Sequence, residues 1–318
     1  MNIAEIYELA VKMGIESDTR DEEKIDELLN DSKEEYEKLE GKEREVFDKQ
    51  KLDSPFDDSR LLHGDKTREV KRVLVGIDIT TGEVLLSDRL NDKGRQIDLI
   101  IAHHPRGLGL NGLDDVMHLQ KDLLTKWGVS VNVAESLMDE RIKEVERKVK
   151  GANFNQSVDA AKLLDIPMMC IHTPADNLVN EFLTNKIEST EFHKVKDVID
   201  MLNDIPEYHE TRKYGDGPCV LVGNNERSAG KVVVEMTGGT QGSKKSYEKL
   251  SQAGVGTLIG MHLADGHRKE VEKHHMNYVI AGHMASDSIG LNLFLDELEK
   301  EGIDIIPCSG FVRHSRNS

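Results

Sequence analysis

From residue 70 onward, short apolar runs rich in β-branched side chains alternate with stretches of helical period. Val73–Asp78, Ile97–Ala102, Val129–Val133, Met168–Ile171, Val220–Gly223, Val232–Met236, Thr257–Ile259, Met276–Ala281 and Ile303–Pro307 are predicted strands. Between them, helices are predicted over Thr81–Lys93, Leu113–Trp127, Asp139–Lys148, Ser157–Leu164, Asn177–Ile187, Val195–Leu202, Ser246–Ala253, Arg268–His275 and Ile289–Lys300, with a hairpin at Asn224–Gly230. Strands alternating with helices imply an α/β fold with buried sheets. The first 58 residues differ in texture. Ile3, Ile6, Leu9, Ala10 and Met13 share one helical face, and residues 21–50 carry a narrow apolar stripe in a dense charge background. This part reads as an acidic helical extension, joined by a linker at Ser54–Ser59. The predicted division is 1–58 for the extension, 59–190 for a first α/β region and 191–318 for a second, with the two interleaved.

Charge narrows the partners. Lys+Arg 42 against Asp+Glu 59 leaves −17, which disfavours nucleic acid as a partner. Residues 16–58 hold 18 acids and 8 bases, so the acidity is concentrated in the extension. Cys170, Cys219 and Cys308 form no C-x-x-C pair, and no apolar run reaches membrane-spanning length. A cytoplasmic protein without a membrane partner is expected.

The chemistry gathers at strand ends. Ile97–Ala102 runs into His103-His104-Pro105, Met168–Ile171 into His172 with Asp176 four residues on, and Met276–Ala281 into Gly282-His283 with Asp287 four residues on. Functional groups of open α/β sheets collect at the carboxyl ends of strands. Converging there, His103, His104, Asp176, His283 and Asp287, with His172 beside them, exceed one tetrahedral site. They suit two divalent ions about 3.5–4 Å apart, of which zinc, iron and manganese accept this donor set. The competing explanation is that these imidazoles only satisfy interior hydrogen bonds. His262, Asp265 and His267 follow another strand and are expected to line the same cleft or support it.

Two glycine segments offer less. Gly107-Leu108-Gly109-Leu110-Asn111-Gly112 spells G-x-G-x-x-G, but it does not follow a strand directly, and a flexible loop over the metals is expected instead. Gly238-Gly239-Thr240-Gln241-Gly242 is not a P-loop; it is either an anion-receiving turn or a tight turn packed against the other half of the chain.

Leu62-His63-Gly64-Asp65 with Val70–Asp78, Ile100–Pro105, His172–Asp176, Thr237–Gly242 and Gly282–Asp287 together resemble the NGG-one-interacting-factor-three-like (Nif-three-like) dinuclear metal family. Many of its members carry the label type-two GTP cyclohydrolase I. The motifs span about residues 60–310. The resemblance implies metal ligation by His103, His104, Asp176, His283 and Asp287, with His172 close to the site. It implies two similar α/β lobes with mixed sheets, the metals in the cleft between them, and a homo-oligomer, often a toroidal hexamer. The family's last ligand is usually Glu, where this chain has Asp287.

The function expected is a dinuclear metal-dependent hydrolase that activates water against a small nucleotide-like, cyclic amide or phosphoester substrate, with His172 or His267 moving protons. The alternative is a non-catalytic metal or metallocofactor binder, such as an iron chaperone or a regulatory ligand binder.

Overall fold

Each strand forms where alternate residues can be buried on two faces, and the two faces here belong to different cores. In β2 (Arg72–Gly76), Val73 and Val75 point into one cluster and Leu74 into another; in β7 (Val255–Gly260), Leu258 and Ile259 divide in the same way. The structure, a computed structural model, describes residues 1–317. Among these residues the fold is mixed α/β, with fourteen α-helices and two mixed sheets.

The first sheet contains β1 (Arg60–His63), β2, β3 (Leu99–Ala102), β4 (Met168–Cys170) and β9 (Asp304–Cys308), in the order β1-β4-β3-β2-β9. The second contains β5 (Cys219–Val222), β6 (Lys231–Glu235), β7 and β8 (Asn277–Ile280), in the order β5-β8-β7-β6. In each, the first strand in sequence is an antiparallel edge and the next three run parallel. The same four-strand order thus occurs twice, and β9 extends the first copy by pairing parallel to β2.

The layers follow from the clusters. Thr81–Asp92 and Gln156–Leu163 cover the outer face of the first sheet through Val84, Val158 and Ala161. Leu119–Trp127, Val131–Val149, Ser246–Gln252 and Asp265–Lys273 cover the outer face of the second. Between the sheets lie Thr173–Glu188 and His283–Lys300. Ala175, Leu178, Leu291 and Phe294 face the first sheet, while Val179, Leu183, Ala285 and Ile289 face the second. These two central helices touch backbone to backbone: a Cβ on Gly290 would lie 2.1 Å from the Ala175 carbonyl oxygen.

Several expectations change. Val129–Val133 is not a strand; Ser130 caps a helix over Val131–Val149, whose stripe Ala134, Met138, Ile142, Val145 and Val149 sets the helical period from its first turn. The period outweighs the short β-branched run. Asn224–Gly230 is not a hairpin, because β5 and β6 lie on opposite edges of their sheet. The first helix, Ile3–Glu16, is held by an Asn2/Glu5 capping box and buries Ile3 and Ile6 in the core of the first sheet, whereas Glu22–Lys38 buries only Ile25. Ser54–Ser59 is no linker: Ser54, Phe56, Asp58 and Ser59 are buried, and Arg60 is locked between Asp57, Asp48 and the Phe56 carbonyl. Among the described residues no helix is long and apolar enough to cross a membrane.

Candidate metal centre

The carboxyl ends of β3, β4, β7 and β8 turn toward the central helices, and there the histidines meet. His103 and His104 directly follow β3, and His172 caps the helix Thr173–Glu188, with Pro174 in its first turn. Gly282 takes φ +113, a conformation that costs other residues strain, and so starts the helix His283–Lys300 within two residues of β8. Asp176 and Asp287 stand four residues after His172 and His283, one turn on along the same helix face and near the positive end of the helix dipole.

Three of the imidazoles are oriented alike. His103 Nδ1 donates to the Ile171 carbonyl (3.1 Å), His104 Nδ1 to Asp78 Oδ1 (2.9 Å) and His172 Nδ1 to Asp58 Oδ2 (2.7 Å). Carbonyl and carboxylate oxygens only accept, so each ring carries a proton on Nδ1 and turns Nε2 inward. The inward atoms then stand close together. His103 Nε2 is 3.5 Å from both Asp176 Oδ1 and Asp287 Oδ1. Asp287 Oδ2 is 3.4 Å from His104 Nε2 and 3.5 Å from His283 Nε2, and those two nitrogens are 3.4 Å apart. His172 Nε2 is 3.7 Å from Asp176 Oδ2.

These separations are long for hydrogen bonds and right for neighbours on one ion. Two ligands each about 2.1 Å from a tetrahedral metal stand roughly 3.4 Å apart. His103 Nε2, Asp176 Oδ1 and both oxygens of Asp287 are buried without a hydrogen-bond partner. An unpaired buried polar atom is costly, so four together call for a cation. Two groups have the compactness to hold an ion, His103/His172/Asp176 and His103/His104/Asp287. His103 is common to both groups, and the two oxygens of Asp287 face different imidazoles, Oδ1 that of His103 and Oδ2 those of His104 and His283. The carboxylates are driven apart electrostatically. Burial pushes Asp176 well above the usual range, while the neighbouring imidazoles, His103 foremost, overcome burial and pull Asp287 far below it.

The expected residues are therefore brought together with two exceptions, the first being Asp265, which is exposed and paired with Arg268 and Lys269 outside the cavity. His267 is buried against Tyr247, with Nδ1 3.1 Å from the Tyr247 hydroxyl, and does not line the cavity beside the carboxylates. Its place is taken by His262, whose ring lies 4.8 Å from that of His283. Asp58 and Asp78 carry no motif that marks them as site residues in the sequence, yet both orient a histidine. Asp58 also accepts from the Thr173 hydroxyl (2.6 Å) and the Ser59 hydroxyl (3.1 Å). Arg106 donates to Asp78 (2.9 Å). Such outer partners set ring orientation and basicity.

The glycine segments resolve differently. Gly107–Asn111 forms a short helix rather than a loop over the metals. A Cβ on Gly109 would lie 2.7 Å from the Asp58 carbonyl oxygen and one on Gly112 2.5 Å from that of Asp57, so these glycines allow the buried 57–58 segment to approach. Gly238 and Gly239 adopt φ +89 and +84, and Gln120 Nε2 donates to the carbonyls of Gly238 (2.6 Å) and Thr240 (2.5 Å). This turn is packed against residues 113–120 and roofs a cavity of about 70 Å³. The cavity is lined by His172, Asp176, His283 and Asp287 together with Glu235, Thr237 and His262.

No protein-family sequence model and no curated protein sequence matches this chain. Solved structures do. A NIF3 superfamily protein from Sphaerobacter thermophilus is 26% identical, with TM-score 0.72, over 90% of this chain and 98% of that one. Reduced HcgD from Methanocaldococcus jannaschii shares the fold at 15% identity and TM-score 0.51, over 83% of this chain and 93% of that one.

Proposed function

Given that the chain belongs to the NIF3 superfamily, we propose that it is a dinuclear metal-dependent hydrolase acting on a small nucleotide-like, cyclic amide or phosphoester substrate. The observation that carries this reading is the set of buried, partnerless ligand atoms on His103, Asp176 and Asp287, the two carboxylates lining a cavity. His103, His104, Asp176, His283 and Asp287 would hold the two ions. Zinc, iron or manganese there would activate water near neutral pH and polarise a substrate oxygen.

The chain's own residues do the rest. Asp58 and Asp78 fix the rings of His172 and His104, so the ligand set is organised before anything binds. His172 presents Nε2 beside Asp176 on the cavity wall, a place from which it can take and return a proton. The turn Gly238–Gly242 covers the cavity and limits bulk water.

The test is turnover. Metal-reconstituted protein is assayed against nucleotides, phosphodiesters and cyclic amides, and His104→Ala is expected to abolish the activity found. Activity that persists in protein shown to be metal-free sinks the hydrolase. Full metal loading with no turnover on any class instead favours a metal-binding protein without catalysis. His172→Ala is expected to keep its metal content while losing activity; loss of metal would make His172 a ligand.

A further inference from the structure

Glu235 ends β6 beneath the Gly238–Gly242 turn and lines the same cavity as His172, Asp176, His283 and Asp287. Among the described residues no hydrogen bond or ion pair reaches its carboxylate. Several side-chain donors nearby are committed to other acceptors. Tyr278 donates its hydroxyl to the His262 carbonyl (3.1 Å), and the Tyr247 hydroxyl is paired with His267 Nδ1 (3.1 Å). Thr237 donates to Asn177 Oδ1 (2.6 Å), and the Gln120 amide donates to the turn itself. Glu235 also lines a second, smaller cavity, with Leu123, Leu124, Trp127, Met138 and Ser243. Burial alone accordingly lifts the carboxyl to about 7, with no cation opposing it.

A carboxylate kept in such a place, in a strand whose other inward positions are Val233 and Val234, is not explained by the fold. It lines the same cavity as four residues of the metal group. Two syn oxygens accept a pair of parallel N–H donors. We propose that Glu235 is the specificity-determining residue of this cavity, accepting the paired N–H edge of a ligand of amidine, guanidine or 2-aminopyrimidinone type whose far side meets the metal group. The inference rests on reading the cavity as the substrate site.

The probes are isocytosine, which has a neutral N–H pair, and benzamidine, which has a cationic one. Pyrimidin-4-one, the isocytosine ring without its amino group, is the control. Binding is measured calorimetrically on metal-free and metal-loaded full-length protein. Wild-type protein is expected to bind at least one of the paired donors and to bind pyrimidin-4-one at least tenfold more weakly than isocytosine. Glu235→Gln, which replaces one acceptor by a donor, should lose about tenfold or more, because a buried pairing is left unmade. Glu235→Asp should fall between them and guards against a misfolded variant. Equal affinity in wild type and Glu235→Gln, or no binding of either paired donor by wild type, overturns the proposal. Elemental analysis of the same samples separates the two readings. A wild-type protein that takes up no metal removes the hydrolase, while the metal-free arm still decides the role of Glu235.

Discussion

Asp58 is the residue whose removal separates ligand orientation from ligand identity. It touches no inward-facing atom of the metal group, yet it holds His172 Nδ1 at 2.7 Å and is itself fully buried. Asp58→Asn keeps the size and one acceptor but offers an N–H where the ring already donates. Metal affinity is expected to fall about 10–100-fold, as for other partners of ligand histidines, with only a modest change in melting temperature. Competition with a chromophoric chelator measures it, and unchanged affinity would leave Asp58 a purely structural anchor.

Glu235 makes an opposite prediction about stability. Its folded pKa, about 7, lies above the unfolded carboxyl value, so the stability linked to it is complete below about pH 4 and is lost as pH rises through 7. Glu235→Gln should therefore melt at the same temperature as wild type near pH 4 and a few degrees higher at pH 8. The side chain is partly open to the cavity, so the gain is held to about 1–2 kcal/mol. A variant less stable at pH 8 would show that the carboxylate has a partner.

The decisive elements are the two central helices. Each brings one carboxylate in its first turns, and their contact at Gly290 and Ala175 sets the distance between Asp176 and Asp287. Gly290→Ala puts a methyl group 2.1 Å from a backbone oxygen, which cannot swing aside as a side chain can. The helices must part, at a cost of about 1–3 kcal/mol. The expected result is a lower melting temperature together with weaker metal retention, seen by calorimetry and elemental analysis on the same preparation. Lost stability with intact metal binding would mean that the ligand group relaxes independently of the helix spacing. Asn177 ties one of these helices outward at both ends of its amide: it donates to the Gly14 carbonyl and Asp18, and accepts from Thr237. The first helix is thereby linked to the turn over the cavity.

At the scale of the whole molecule, the metal group joins pieces that are otherwise separate layers. His103, His104 and His172 come from the first sheet, His262 and His283 from the second, and the carboxylates from between. Ions bound there cross-link both sheets, so binding should stabilise the entire fold rather than one part of it. Reconstituted protein is expected to carry about two ions per chain. At a free concentration a hundredfold above Kd, one ion adds about 2.7 kcal/mol to unfolding. A chelator should reverse the increase in melting temperature as a single transition. A transition that splits, with one part insensitive to metal, would contradict a shared centre. The hexamer implied by the family resemblance is a separate proposal, and sedimentation of the full chain tests it.

The sequence alone determined the local chemistry: which apolar runs become most of the strands, that three of them end in histidine, and that His-x-x-x-Asp puts a ligand pair on one helix face. Those are effects of nearest neighbours and short periods, and they are written in residue order. It also carried the family resemblance, through motifs spaced along most of the chain. Tertiary structure decided what depends on meetings between distant segments. Asp58 lies over 100 residues from His172, inside a stretch whose Ser, Pro and Asp content imitates a linker, and only folding shows it buried. His267 follows a strand end just as His262 does, but its position on the helix turns it toward Tyr247 instead of the cavity. Glu235 closes an ordinary apolar strand, and nothing local reveals that the fold leaves its carboxylate without a side-chain partner at the wall of the cavity. Burial and the partners left available are properties of the assembled core, and a chain read in order cannot count them.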